Sequence, residues 1–226
     1  MTIWNGSIAA TGDDGFDNAG TLFTTNSYLY FGNSSGLDAN AFFRFTNVTI
    51  PKNSTVSACV LTVKAHSTAS VSGVNVKIGC SNEDNAAAPT TASDFDGRTF
   101  AGTTATWTPA TSWLLNNTYA SADFSSSAQS LFARSGWSSG NSMLVVIRNN
   151  GSTGGSAKTP YDYSNGSGSA TISITYSPPA AGKLFRYSNQ SGLGSGGPFF
   201  QNPLSFKKLF QQFRRRWLEA VLRLGA

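Results

Sequence analysis

Residues 40–80 read NAFFRFTNVTIPKNSTVSACVLTVKAHSTASVSGVNVKIGC, and their periodicity decides the fold class. From Ser57 to Ala65 every second residue, Cys59, Leu61, Val63 and Ala65, is apolar. Val74, Val76, Ile78 and Cys80 repeat that period, with Asn75 and Lys77 between them. A period of two puts alternate side chains on opposite faces, so both segments are predicted as half-buried strands. Phe43 and Phe45 alternate with Phe42 and Arg44 in a third strand, and Ile50-Pro51-Lys52-Asn53 supplies a turn. The small polar residues 67–72 predict a hairpin between the first two segments. Matching their apolar faces pairs Ala65 with Val74, Val63 with Val76, Leu61 with Ile78 and Cys59 with Cys80. A one-residue slip loses the match.

Working outward, Thr2–Ala10 reads as a first strand and Ser27–Gly32 as a second. Beyond Cys80, residues 81–97 read as a long polar loop, and Gly102–Thr108 as a strand ended by Pro109. Tyr119–Ala122 is expected to pair briefly. Ser125–Arg134 has helical spacing: Asp123 or Ser125 can cap it, Ala128, Leu131 and Phe132 share a face, and Gly136 ends it. Ser142–Asn149 is a continuous apolar run, expected as a buried strand, and Ser169–Tyr176 alternates. Eight strands result, near Ile3, Leu29, Phe43, Leu61, Val76, Ala105, Val146 and Ile174. The predicted class is all-β: an antiparallel sandwich of jelly-roll type, with strand order open.

The chain has 226 residues, of which 12% are charged. That low charge, with abundant Gly, Ser, Thr and Asn, suits short strands joined by many turns. The net charge of +5 is unevenly placed. Residues 1–180 hold 8 Lys and Arg against 10 Asp and Glu, a balance of −2; residues 181–226 hold 8 against 1, or +7. The basic character therefore belongs to the tail. The opening TIWNGSIAATGDDG has no basic segment followed by an apolar one, so no signal peptide is expected. No apolar run is long enough to span a membrane.

The segment FFRFTNVTIPKNSTVSACVLTVKA resembles DNRLRE-type and related jelly-roll modules, in which an aromatic strand precedes an Ile-Pro turn and a Thr-Val-led alternating strand. Residues 92–97 (ASDFDG) and 135–141 (SGWSSGN) resemble the bacteriophage-associated versions, and the likeness covers roughly residues 3–176. The resemblance implies a sandwich module of bacterial surface or phage virion proteins, and its motifs are structural.

Candidate chemistry is sparse. His66 is the single histidine, and no Gly-x-Ser-x-Gly elbow stands before a helix, so no catalytic triad is expected. One His and two Cys are too few for zinc. Asp84, Asp94 and Asp96 could serve a glycoside hydrolase, yet nothing marks one as an acid held protonated. The chain is read as a non-enzyme without a cofactor. Asp13, Asp14, Asp17 and Asn18, in a turn-rich loop over residues 11–20, offer oxygen ligands to Ca²⁺ without the EF-hand spacing. Cys59 and Cys80 are expected as buried thiols, since a chain without an export signal is made in a reducing compartment. Trp113 and Trp137, in loop contexts, are the candidate glycan contacts.

Three segments follow: a sandwich over residues 1–177, a Pro/Gly/Ser-rich linker over 178–201, and a basic amphipathic helix over 202–226. Asn202 suits the cap and Pro203 the first helical position. Phe206, Leu209, Phe210, Phe213, Trp217 and Val221 recur at spacings of three and four, flanked by Arg214, Arg215 and Arg216. Four aromatics on that face exceed what phosphate contact requires, so nucleic acid is not expected. Docking on a protein comes first and a membrane surface second. With the resemblance, this implies a virion structural protein, a head, neck or tail accessory made in the host cytoplasm. Its partners would be other virion proteins, copies of itself and a host-surface glycan. The alternative is a carbohydrate-binding module of a surface or tail-fibre protein.

Overall fold

The computed structural model describes residues 1–166 and 168–180. The docking residues Phe206–Val221 lie outside the described residues, as does most of the expected linker. In chain order the elements are β1 (Thr2–Ser7), β2 (Asp14–Asn18), β3 (Thr21–Phe23), β4 (Phe31–Ser34), β5 (Leu37–Phe45), β6 (Thr55–Lys64), β7 (Ala69–Ser70) and β8 (Val76–Cys80). There follow α1 (Ala92–Gly97), β9 (Ala105–Trp107), β10 (Ser112–Trp113), β11 (Thr118–Ala120), α2 (Ser125–Phe132), β12 (Met143–Asn149), β13 (Ala157–Lys158) and β14 (Thr171–Ser177).

One sheet runs β1-β14-β6-β11 and the other contains β5-β12-β8-β9; β2 pairs with β5 on the edge opposite β12, and β4, with β13 beside it, pairs with the start of β5. Counted in chain order, the eight strands β1, β5, β6, β8, β9, β11, β12 and β14 pair first with eighth, second with seventh, third with sixth and fourth with fifth. That wrapping is the jelly-roll order, and the protein is an all-β antiparallel sandwich.

The alternating segments are strands, but the expected hairpin is not formed. β6 pairs with β14, setting Cys59 opposite Ile174 and Leu61 opposite Ile172. β8 lies in the other sheet and pairs with β12, setting Cys80 opposite Val145 and Ile78 opposite Ile147. Ala65 makes a bridge to Pro160 instead of to Val74. In a jelly roll the third and fourth strands belong to different sheets. Their apolar faces meet through the core, which satisfies the same pattern as a ladder would. Cys59, Leu61, Val63, Val76, Ile78 and Cys80 accordingly all sit in the main core.

β12 is apolar from Met143 to Ile147 because both its faces are covered there. Met143, Val145 and Ile147 face the main core. Leu144 and Val146 face a second cluster with Phe42, Ala86 and Phe95 on the outer side of the sheet. Phe95 comes from α1, a helix inside the segment expected as loop; Thr91 caps it by accepting the Asp94 amide. α2 is close to its expected bounds, but its cap position is Phe124, with no side-chain cap bond; Asp123, one residue earlier, accepts the Ser125 amide at 2.8 Å and the Cys59 amide at 3.0 Å. The strand expected over Ser27–Gly32 is shifted: Tyr28 makes only an isolated bridge to Tyr161, Leu29 is fully buried, and the regular strand is β4, Phe31–Ser34.

Candidate functional site

The acidic stretch after β1 is not a single cation loop. Residues 14–18 form a strand, so Asp14 and Asn18 lie on one side and Asp17 on the other. Asp13 is paired with Arg44 at 2.6 Å. Asp17 is buried, and burial raises its pKa. The four residues proposed as Ca²⁺ ligands therefore do not converge. Among the described residues, no three His, Cys, Asp or Glu side chains gather as a metal-binding group.

The structure instead brings Asp14 to Asp162, and both are fully buried. Asp14 Oδ2 accepts the Tyr163 amide at 3.0 Å. Asp162 Oδ1 caps a 3-10 turn over Tyr163–Asn165, accepting the Ser164 amide at 2.8 Å and the Ser164 hydroxyl at 2.6 Å. The Asp14 carboxyl is pushed up to about 7, first by burial and next by the charge of Asp162; burial also raises Asp162. Beside them is an open cleft of about 420 Å³ lined by Thr11, Tyr163, Ser164, Gly166, Gly168 and Ser169. Asp162 carries no periodic signal in its loop, and its partner lies at the other end of the chain, so sequence reading passed over it.

Trp113 and Trp137 are not surface platforms. Both are core residues, 1% and 2% exposed. Trp113 stacks on Tyr119 with ring centres 4.4 Å apart, and Trp137 packs on Phe132 while its Nε1 donates to the Ile50 carbonyl at 3.0 Å. Their segments fold back over the sandwich and bring the rings inside.

Half-buried aromatic rings cluster elsewhere. The His66 ring lies 4.9 Å from that of Tyr28 and 5.0 Å from that of Tyr161. Tyr28 also meets Tyr30 edge-on at 5.1 Å. Lys64 lies 5.5 Å from the Tyr161 ring, and the Tyr161 hydroxyl and Asn116 Oδ1 are 3.2 Å apart. Asn116 follows Leu114 and Leu115, which are 55% and 48% exposed. Tyr28 and Tyr161 come together through the isolated bridge between their backbones.

The carboxylates considered for glycoside chemistry each face an arginine. Asp84 meets Arg134 at 2.7 Å, Asp94 meets Arg98 at 3.0 Å and Asp96 meets Arg148 at 3.2 Å. The hydrogen bond from Arg98 holds Asp94 below the ordinary carboxylate range, the reverse of what a general acid needs. The two cysteines are free and buried. Burial pushes the Cys80 thiol up to about 12 and raises Cys59 well above its ordinary value. Comparison with known proteins finds no matching family model and no matching curated protein.

Proposed function

We propose that this chain is a structural component of a bacteriophage particle, a head, neck or tail accessory made in the host cytoplasm and incorporated into the virion. The observation that carries the reading is a division within the chain. The described core residues run from Ile8 to Tyr176, and the two sheets cover one another. The strongly amphipathic, basic stretch follows separately, at residues 202–226. A sandwich with its core already closed, carrying a segment with a large apolar face, suits a module displayed on an assembly through that segment. The resemblance of residues 42–65 to DNRLRE-type jelly-roll modules, and of residues 92–97 and 135–141 to their phage-associated versions, supports the same reading.

The partner of Phe206, Leu209, Phe210, Phe213, Trp217 and Val221 would be another virion protein or a second copy. Arg214, Arg215 and Arg216 at the rim would speed encounter with acidic groups more than they set affinity. Mass spectrometry of purified particles, with and without Phe213→Asp plus Trp217→Asp, tests this. The wild-type chain is expected in the particle, with the double variant absent from it though folded. A double variant incorporated at normal copy number would place the anchor in the sandwich.

A second reading, glycan contact at a host surface, is favoured by the rings of Tyr28, His66 and Tyr161 beside Asn116. Aromatic faces with hydrogen-bonding edges suit sugar rings. A glycan array probed with wild type and Tyr161→Ala checks it. Binding that the variant retains in full would remove this surface from consideration.

A further inference from the structure

The protein interior holds two carboxylates that are incompletely neutralised. Asp14 and Asp162 are each 0% exposed. Each has one oxygen held by donors of the 3-10 turn. The other oxygens, Asp14 Oδ1 and Asp162 Oδ2, are buried with no hydrogen-bond partner. The two side chains close around the same short segment, because Asp14 takes the amide of the residue that follows Asp162. Neighbouring charge does not relieve them. Asp13 is engaged with Arg44, whose other nitrogens hold the Ala86 carbonyl and the Ser142 hydroxyl. Among the described residues, no ion pair involves Asp14 or Asp162.

Two carboxylates buried side by side do not both remain ionised without a counter-charge. That counter-charge is either a proton or a cation. We propose that Asp14 and Asp162 together bind a hard divalent cation of the Ca²⁺ class, through Asp14 Oδ1 and Asp162 Oδ2. Three features favour the cation. The free oxygens belong to side chains whose other oxygens are fixed by backbone amides, so the ligands are pre-positioned. The adjoining cleft is walled by Tyr163 and Ser164, whose amides hold the two carboxylates, so the turn that fixes the pair also borders solvent. The hydroxyls of Thr11 and Ser169 line that cleft and, with water, offer further oxygen ligands. Irregular oxygen shells of that kind suit Ca²⁺ better than Mg²⁺, which demands a near-ideal octahedron. This site differs from the sequence-based loop, since its second carboxylate comes from the segment before β14.

The test uses the full chain, stripped with chelator and held at pH 7.5. CaCl₂ and MgCl₂ are titrated at matched ionic strength, by calorimetry and by thermal melting. Saturable binding of one Ca²⁺ is expected. At a hundredfold excess over Kd, Tm should rise by about 5–10 °C. Mg²⁺ should do markedly less. Asp162→Asn and Asp14→Asn should each abolish the Ca²⁺ effect. Terbium luminescence excited through Tyr163 gives an independent readout in the wild-type protein. Absence of binding heat and of any Tm shift at millimolar Ca²⁺ would show that a proton neutralises the pair and would overturn the proposal. So would binding that survives in Asp162→Asn, which would place the ion on exposed carboxylates.

Discussion

The ammonium of Lys158 lies 5.3 Å from the centre of the Trp113 ring, and both side chains are buried. Its Nζ donates to the Thr111 carbonyl at 2.7 Å and to the Val71 carbonyl at 3.1 Å. Two carbonyls and an aromatic face thus stand where a carboxylate partner is more usual. Burial lowers the Lys158 pKa. The arrangement joins β13 to the segments that carry β7 and β10.

Lys158→Met keeps most of the stem but takes the donor from the Val71 carbonyl, while the Thr111 carbonyl keeps the Val71 amide at 3.0 Å. Burying an unsatisfied polar group costs about 1–3 kcal/mol. Urea unfolding should show a loss in that range with an unchanged m-value. Wild-type stability in the variant would mean that the ammonium contributes nothing net.

The buried thiols give a second expectation. Cys59 and Cys80 are both 0% exposed, and both thiols are raised by burial. Thiolate is the reacting form, so neither should react with a thiol reagent at pH 8 in the native protein. Both should titrate in guanidinium. Rapid labelling of one cysteine under native conditions would show that α2, which packs over this end of the core, opens readily.

Acid should stabilise the calcium-free protein. The folded Asp14 carboxyl titrates at about 7, against an ordinary 3.8. Because the folded value is the higher one, its contribution is full below about 4 and is lost as pH rises through about 7. A shift of this size is worth about 4 kcal/mol at most. Asp162, also raised, acts in the same direction; Asp94, lowered by Arg98, acts oppositely at more acid pH. In chelator, the wild-type Tm should therefore be higher at pH 5 than at pH 7.5, and Asp14→Asn should reduce the difference. Equal slopes in the two proteins would exclude Asp14 as the source.

Local periodicity made the strands legible, whereas their partners required the whole fold. Alternation in β6 and β14 announced one buried face each, and the continuous run in β12 announced two. The choice of Cys80 as neighbour to Cys59 failed because apolar alternation is the same whether two faces meet along a ladder or through a core. Ile174, the true neighbour, lies far along the chain. α1 has only six residues and little apolar content, so its one advance signal was Thr91 followed three residues later by Asp94. Trp113 and Trp137 stand among turn residues, and no local pattern says that such a segment folds inward. The bond from the Tyr163 amide to Asp14 joins opposite ends of the sandwich sequence, which no short window of sequence contains.

That closing strand yields the last expectation. β14 is central in its sheet, hydrogen-bonded to β1 on one side and β6 on the other. Its buried residues Ile172, Ile174 and Tyr176 face the main core, and Tyr176 marks the end of the described core. Residues 1–177 therefore contain every described strand and should fold alone, giving soluble protein with a cooperative melt. Ending the chain at residue 168 removes the strand between β1 and β6 and should abolish folding. Within the 1–177 protein, Leu61→Ala, opposite Ile172, should cost about 2–5 kcal/mol as a core truncation. Circular dichroism and denaturant melts distinguish the outcomes. Insoluble 1–177 alongside a soluble full chain would mean that residues beyond 177 complete the sandwich, and the division into a display module and an anchor would have to be abandoned.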